Sequence, residues 1–331
     1  MSLTVGIPRS LFYYQYFPLW KTFFEELGAE VILSENTSKK ILEDGVNCCV
    51  DDACLPIKIY HGHVMNIKDK ADYLFVPRFT SISKDEYICP KFGGLPDMIK
   101  SSIKDLGKII DTEIDLRKSK KNSFKAALEI GLHFTDSKFA IRYAYKKALK
   151  DYRVFRETVK MGMLPNEIVE RKIRVVRRQK EENFKVLLMG HMYNIYDRYI
   201  NMDIVQKLRK SGVEIITLDM LDNKKISIGA KFLSKKMFWN FGKKALGGVA
   251  NVIEREGDYD GIMYLMSFGC GIDSFVCDLV ERKVRRESNL PFSVLTLDEH
   301  SGEAGMNTRI EAYIDMLRWR RDHEGNISAH G

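Results

Sequence analysis

The stretch GIMYLMSFGCGIDS, residues 261–274, decides the fold. Its first seven residues form an unbroken apolar run bounded by glycine and serine. That pattern suits a strand buried on both faces rather than one with a wet side. The chain then turns through Phe268–Gly269–Cys270–Gly271, and an amphipathic segment over 272–287 reads as a helix. Strand, glycine turn and helix form half of a parallel βαβ unit.

Working outward, KVLLMG (185–190), VEIITL (213–218) and FSVLTLD (292–298) repeat the buried-strand pattern. Helical stretches fall between and after the strands at about 197–211, 229–256 and 304–320. Apolar strands alternating with helices predict a doubly wound parallel sheet. In the N-terminal part, LTVGIP (3–8), EVIL (30–33) and DYLFVPR (72–78) read as strands around a helix near 18–28, a second and smaller parallel α/β unit. Between the two parts lies a helical, basic stretch. Residues 113–185 carry 20 Lys and Arg against 10 Asp and Glu, which accounts for the net charge of +8. The organisation expected is an N-terminal α/β lobe over 1–112, a basic helical segment over 113–183 and a C-terminal α/β lobe over 184–331.

Composition excludes several classes. No run approaches the roughly 18 apolar residues of a membrane span, and Met1–Gly6 reads as a strand rather than a signal peptide, so a cytoplasmic location is expected. Nucleic-acid binding is disfavoured, because acids are interspersed among the cations and the aromatic residues of the basic segment follow the helical core period. The six cysteines are too sparse for a disulfide scaffold. They are left to metal ligation or to packing.

Ligands of such sheets bind at the carboxyl ends of the strands. Cys270 sits at one such end, with Gly269 and Gly271 letting the backbone approach whatever the thiol holds, and Asp273 or Ser274 is placed to cap the following helix. Cys89, in YICPKFGGLPD, and Cys54, in DDACLPIK, also occupy turns ahead of proline-led helices. No C-x-x-C pair supports a compact metal motif, so a shared site and simple burial both stand for these three. Cys48, Cys49 and Cys277 read as packing residues. His61 and His63 read as packing or hydrogen-bonding groups, and Asp51 and Asp52 as turn residues. Arg9, at the end of the first strand, is the candidate for holding an anion or substrate carboxylate.

The segments GIPRSLFYYQYFPLWKTFFEELGAEV, VDDACLPIKIYHGHV, VPRFTSISKDEYICPKFGGLPDM, SFGCGIDS and LDEHSGEAGMNTRIEAYIDML resemble the acyl-CoA dehydratase activase-related proteins. That family is similar to 2-hydroxyacyl-CoA dehydratase subunits and to double-cubane cluster proteins. The resemblance implies two flavodoxin-like lobes and a [4Fe–4S] cluster held by Cys54, Cys89 and Cys270, with Gly269 and Gly271 beside it. It further implies low-potential electron transfer or reductive chemistry on a small, CoA-linked substrate. An ATP-hydrolysing activator would be the electron donor, and a homologous second subunit or a second copy of the chain would complete the assembly. A double-cubane [8Fe–9S] reductase, for which six cysteines would serve, and a zinc-stabilised or metal-free interaction protein are the alternatives.

Overall fold

The computed structural model describes residues 2–170, 184–233 and 236–327. Two compact units emerge, one of residues 1–172 with 237–241, the other of 173–236 with 242–331.

The first unit runs β1 (Thr4–Ile7), α1 (Tyr13–Glu26), β2 (Glu30–Leu33), α2 (Lys39–Cys48), α3 (Leu55–Ile67), β3 (Tyr73–Phe75), β4 (Arg78–Ser81), α4 (Pro90–Gly93), α5 (Leu95–Ser102), β5 (Lys108–Ile110), β6 (Glu113–Asp115), α6 (Asn122–Gly131), α7 (Lys138–Lys160) and α8 (Pro165–Val169). Its main sheet is parallel, in the order β2-β1-β3-β5. β4 and β6 form a separate parallel pair. The apolar stripe of α7, with Ile141, Ala144, Ala148, Phe155 and Val159 buried, turns inward. The same helix meets α1 through Thr22 Oγ1 donating to Asp151 (2.9 Å) and an ion pair between Lys147 and Glu26 (2.5 Å). Residues 171–183 of the expected basic segment lie outside the described residues.

The second unit runs β7 (Phe184–Gly190), α9 (Met192–Tyr196), α10 (Ile204–Lys210), β8 (Val213–Thr217), α11 (Asn223–Gly229), α12 (Asn240–Ile253), β9 (Gly261–Ser267), α13 (Gly271–Glu287), β10 (Phe292–Leu297) and α14 (Glu303–Ile327). Its sheet is also parallel, in the order β10-β9-β7-β8. The central strands are buried on both faces: Val186 to Met189 and Ile262 to Leu265 are inaccessible to solvent. The edge strand β8 alternates buried and half-buried residues, as a strand with one covered face should. Fold class therefore follows the sequence expectation of two flavodoxin-like parallel-sheet lobes.

Numbered from its own start, each unit's four-stranded sheet has the order 2-1-3-4. Each also crosses from its second to its third strand through two consecutive helices packed on glycine. In the first unit a Cβ added to Gly62 would lie 1.8 Å from the Ile41 carbonyl oxygen, and one added to Gly45 would lie 2.0 Å from that of Lys58. In the second, a Cβ on Gly247 would lie 1.9 Å from the Ile226 carbonyl oxygen. Among the described residues no helix is long and apolar enough to cross a membrane.

Candidate functional site

In a 2-1-3-4 sheet the connections leave the first and third strands toward opposite edges. A crevice opens between the carboxyl ends of those two strands. In the second unit they are β7 and β9.

β7 ends in Gly190, whose φ of +143° and closeness to Leu265, 2.6 Å from an added Cβ to the carbonyl oxygen, admit only glycine. His191 follows as the residue capping α9. Its ring stacks on Tyr193, with centroids 4.8 Å apart and planes 9° from parallel. The turn beneath it is pinned by Asn194, fully buried, which accepts the Ser267 hydroxyl (2.7 Å). β9 ends in Ser267, and Gly269 (φ +74°) reverses the chain so that Cys270 caps α13. The sulfur accepts the Asp273 N–H at 3.4 Å. Thus the cap of this helix is the cysteine, and Asp273, expected as a cap, turns inward. It is fully buried, accepts the Tyr264 hydroxyl at 2.9 Å through Oδ1, and leaves Oδ2 with no partner. His191 Nε2 stands 3.5 Å from Asp273 Oδ1. His191, Cys270 and Asp273 each offer one donor atom to a group gathered within 4.8 Å.

Burial dominates the electrostatics. It pushes the Asp273 carboxyl up to about 7, opposed by the Tyr264 hydrogen bond and by the polar groups of Ser267 and Cys270 nearby. It pushes His191 down to about 3, with Lys244 adding in the same direction. A neutral imidazole and a carboxyl reluctant to ionise thus share one cleft with the Cys270 sulfur.

The first unit places Arg9 at the equivalent end of β1. Its backbone N–H donates to Ser34 Oγ (2.9 Å) and Nη1 donates to Asn36 Oδ1 (2.7 Å), while Nε is buried without a partner. Ser34 Oγ also lies 2.8 Å from His63 Nδ1, and His63 Nε2 lies 3.0 Å from Thr37 Oγ1. Burial, then Arg9, drives His63 down to about 3; His61, lowered by burial, donates from Nδ1 to the Ile57 carbonyl (2.8 Å). Both histidines are interior residues of α3.

Cys54 and Cys89 lie in the first unit, each capping a proline-led helix, α3 and α4. Cys54 is buried and Cys89 half-buried. Burial raises the Cys49 thiol, opposed by the Val50 backbone hydrogen bond and Lys58. Burial raises Cys48 to about 11 and Cys277 to about 12, so both stay protonated thiols.

Fold and site define an α/β protein of two parallel-sheet units with a polar donor group at the second unit's crevice. The family model for the CoA enzyme activase uncharacterised domain matches residues 4–221, and the chain belongs to that family. No curated protein matches it. The matched span includes Arg9, Cys54, Cys89 and His191 and stops short of Cys270 and Asp273.

Membership corrects the functional expectation. The matching family is one of CoA enzyme activase domains, not of iron–sulfur dehydratase subunits. The expected dehydratase-type iron–sulfur subunit, with low-potential electron transfer as its work, is therefore withdrawn. Sequence reasoning missed His191, Tyr264 and Asn194. The histidine directly after a buried strand was the available signal for the first. The other two stand in apolar surroundings that mark them only as core.

Proposed function

We propose that the protein takes part in activating a CoA-dependent enzyme, as an accessory protein that docks on that enzyme rather than performing its reaction. The resemblance carried by the sequence motifs names the class of partner, a 2-hydroxyacyl-CoA dehydratase. Family membership supports the reading, and the observation that carries the docking is the outer face of α7. Lys138, Arg142, Lys146, Lys150 and Arg153 are exposed along this 23-residue helix. Interleaved with them, Phe139 is 82% exposed, Tyr143 58% and Val154 62%. Solvated helical faces seldom present large apolar side chains at such spacing. Cations steer an acidic partner and set the rate of encounter, and aromatic side chains anchor the contact once made.

The test is co-elution with, and stimulation of, the 2-hydroxyacyl-CoA dehydratase of the same organism, using wild-type protein and a variant with Lys146, Lys150 and Arg153 changed to Glu. Wild type is expected to bind and to raise dehydratase activity, more weakly as salt shortens the range of the charges. The triple variant is expected to lose at least about tenfold in association rate. Absence of both binding and stimulation by wild type at low salt refutes the reading.

A further inference from the structure

We propose that His191, Cys270 and Asp273 form a site for a single divalent transition cation of the zinc class, held by one nitrogen, one thiolate and one carboxylate oxygen. This inference is independent of the docking surface on α7.

The three donors come from two neighbouring strand ends at the point where the sheet's connections diverge, and they already lie within 4.8 Å of one another. A tetrahedral cation at about 2.0–2.3 Å from its ligands needs donors about 3.3–3.8 Å apart. Binding therefore requires the donors to draw closer by about 1 Å or more. The mixed set of nitrogen, sulfur and oxygen suits a borderline cation, not a hard one such as magnesium.

An alternative account makes the three residues a hydrogen-bonded packing group. Two observations argue against it. Asp273 is wholly buried, yet Oδ2 has no partner, a costly arrangement for a carboxyl unless something binds there. His191 Nε2 is 3.5 Å from the same carboxyl, beyond the 2.7–2.9 Å of a charge-assisted bond. The remaining carboxylate oxygen is oriented by the Tyr264 hydroxyl, the kind of outer contact that fixes a metal ligand. At Cys270 the helix N-terminus and the Asp273 N–H face the sulfur, a setting suited to a metal-held sulfur. Binding displaces the thiol proton to solvent. Three protein ligands leave a fourth position open, as in sites that bind water or a substrate atom.

The experiment titrates full-length, chelator-stripped protein with Zn2+ and Co2+. One equivalent is expected, and the cobalt form should show thiolate-to-metal charge transfer with the intense visible bands of tetrahedral Co2+. Cys270→Ser and Asp273→Asn should each weaken binding by at least about 100-fold, and Tyr264→Phe by about tenfold. Cys277→Ser, on the same helix but outside the group, should bind as wild type. X-ray absorption of the wild-type zinc form needs no variant to fold: one sulfur with nitrogen and oxygen neighbours is expected. Failure to bind one equivalent, retention of affinity in Cys270→Ser, or two or more sulfurs around the metal would overturn the assignment.

Discussion

Gly62→Ala should unfold the first unit at markedly lower denaturant, although the same change on an open helix is stabilising. Alanine gains about 1 kcal/mol over glycine from helix propensity. Against that stands the Cβ, 1.8 Å from the Ile41 carbonyl oxygen. A carbon–oxygen contact needs at least about 3.3 Å, so α2 and α3 must part by about 1.5 Å. The obstacle is backbone and has no rotamer to escape into. Partial loss of the seam forfeits a quarter to a half of the dispersion energy of each contact, and overpacking of this severity costs about 4 kcal/mol, above the usual range. The net is a loss of about 3 kcal/mol. Urea unfolding followed by tryptophan fluorescence reads it, since Trp20 is buried against Phe75 and Trp239 belongs to the same unit. With a slope of about 2 kcal/mol/M the midpoint should fall by about 1.5 M. Gly305→Ala is the control, at a helical position with nothing within 4 Å, and should be neutral or gain up to about 1 kcal/mol. An unchanged or raised midpoint for Gly62→Ala would refute the close approach of the two helices.

Gly247→Ala, 1.9 Å from the Ile226 carbonyl oxygen, should weaken the second unit to a similar extent while leaving the Trp20 signal in place, which separate unfolding transitions would reveal. The buried His63 sets a pH dependence. The unfolded chain takes up its proton near 6.5 and the folded one only near 3, so the unfolded state binds more protons in between. Stability is full above 6.5 and falls by about 1.4 kcal/mol per pH unit below it, with His61 acting in the same direction. Urea midpoints of wild type and His63→Gln between pH 6.5 and 4.5 check this, and parallel slopes would exclude the histidine as the cause. Reversing the exposed α7 cations should leave both unfolding midpoints within about 0.5 kcal/mol of wild type, as surface changes do, so that any loss of partner binding reports docking alone.

The sheets were legible because their central strands carry little but large apolar residues, and β7 and β9 fall within a residue of where the sequence places them. What escaped was controlled by local backbone chemistry. The expected strand over 72–78 stops at Phe75, because Pro77 has no N–H for the ladder, and the chain restarts as β4 at Arg78. The expected helix over 197–211 begins only at Ile204. Before it, Asp197 accepts the Tyr199 and Ile200 N–H groups, and Met202 and Asp203 take positive φ, so the segment is a pinned turn. The 229–256 helix is confined to Asn240–Ile253 for its main part. At the site, the flanking glycines and the strand end made Cys270 visible. His191 became its neighbour only once the strand order placed β7 beside β9, which no local pattern encodes.

The two units set the same scaffold to different chemical ends. Each has a 2-1-3-4 sheet, a glycine-packed helix pair before the third strand and polar residues just beyond the carboxyl end of its first strand. In the first unit both nitrogens of His63 are engaged, so that histidine is held neutral as part of the core. Among the unpartnered buried polar atoms there, beside Ser10 Oγ, is Arg9 Nε, a donor lacking an acceptor. In the second unit Asp273 Oδ2 is an unpartnered acceptor with an imidazole and a thiol group beside it. A buried guanidinium nitrogen is relieved by an anion and a buried carboxylate oxygen by a cation. The shared backbone geometry therefore presents different polar groups beyond the first strand of each unit, and among the described residues the second gathers the nitrogen, sulfur and oxygen donors that a transition cation requires.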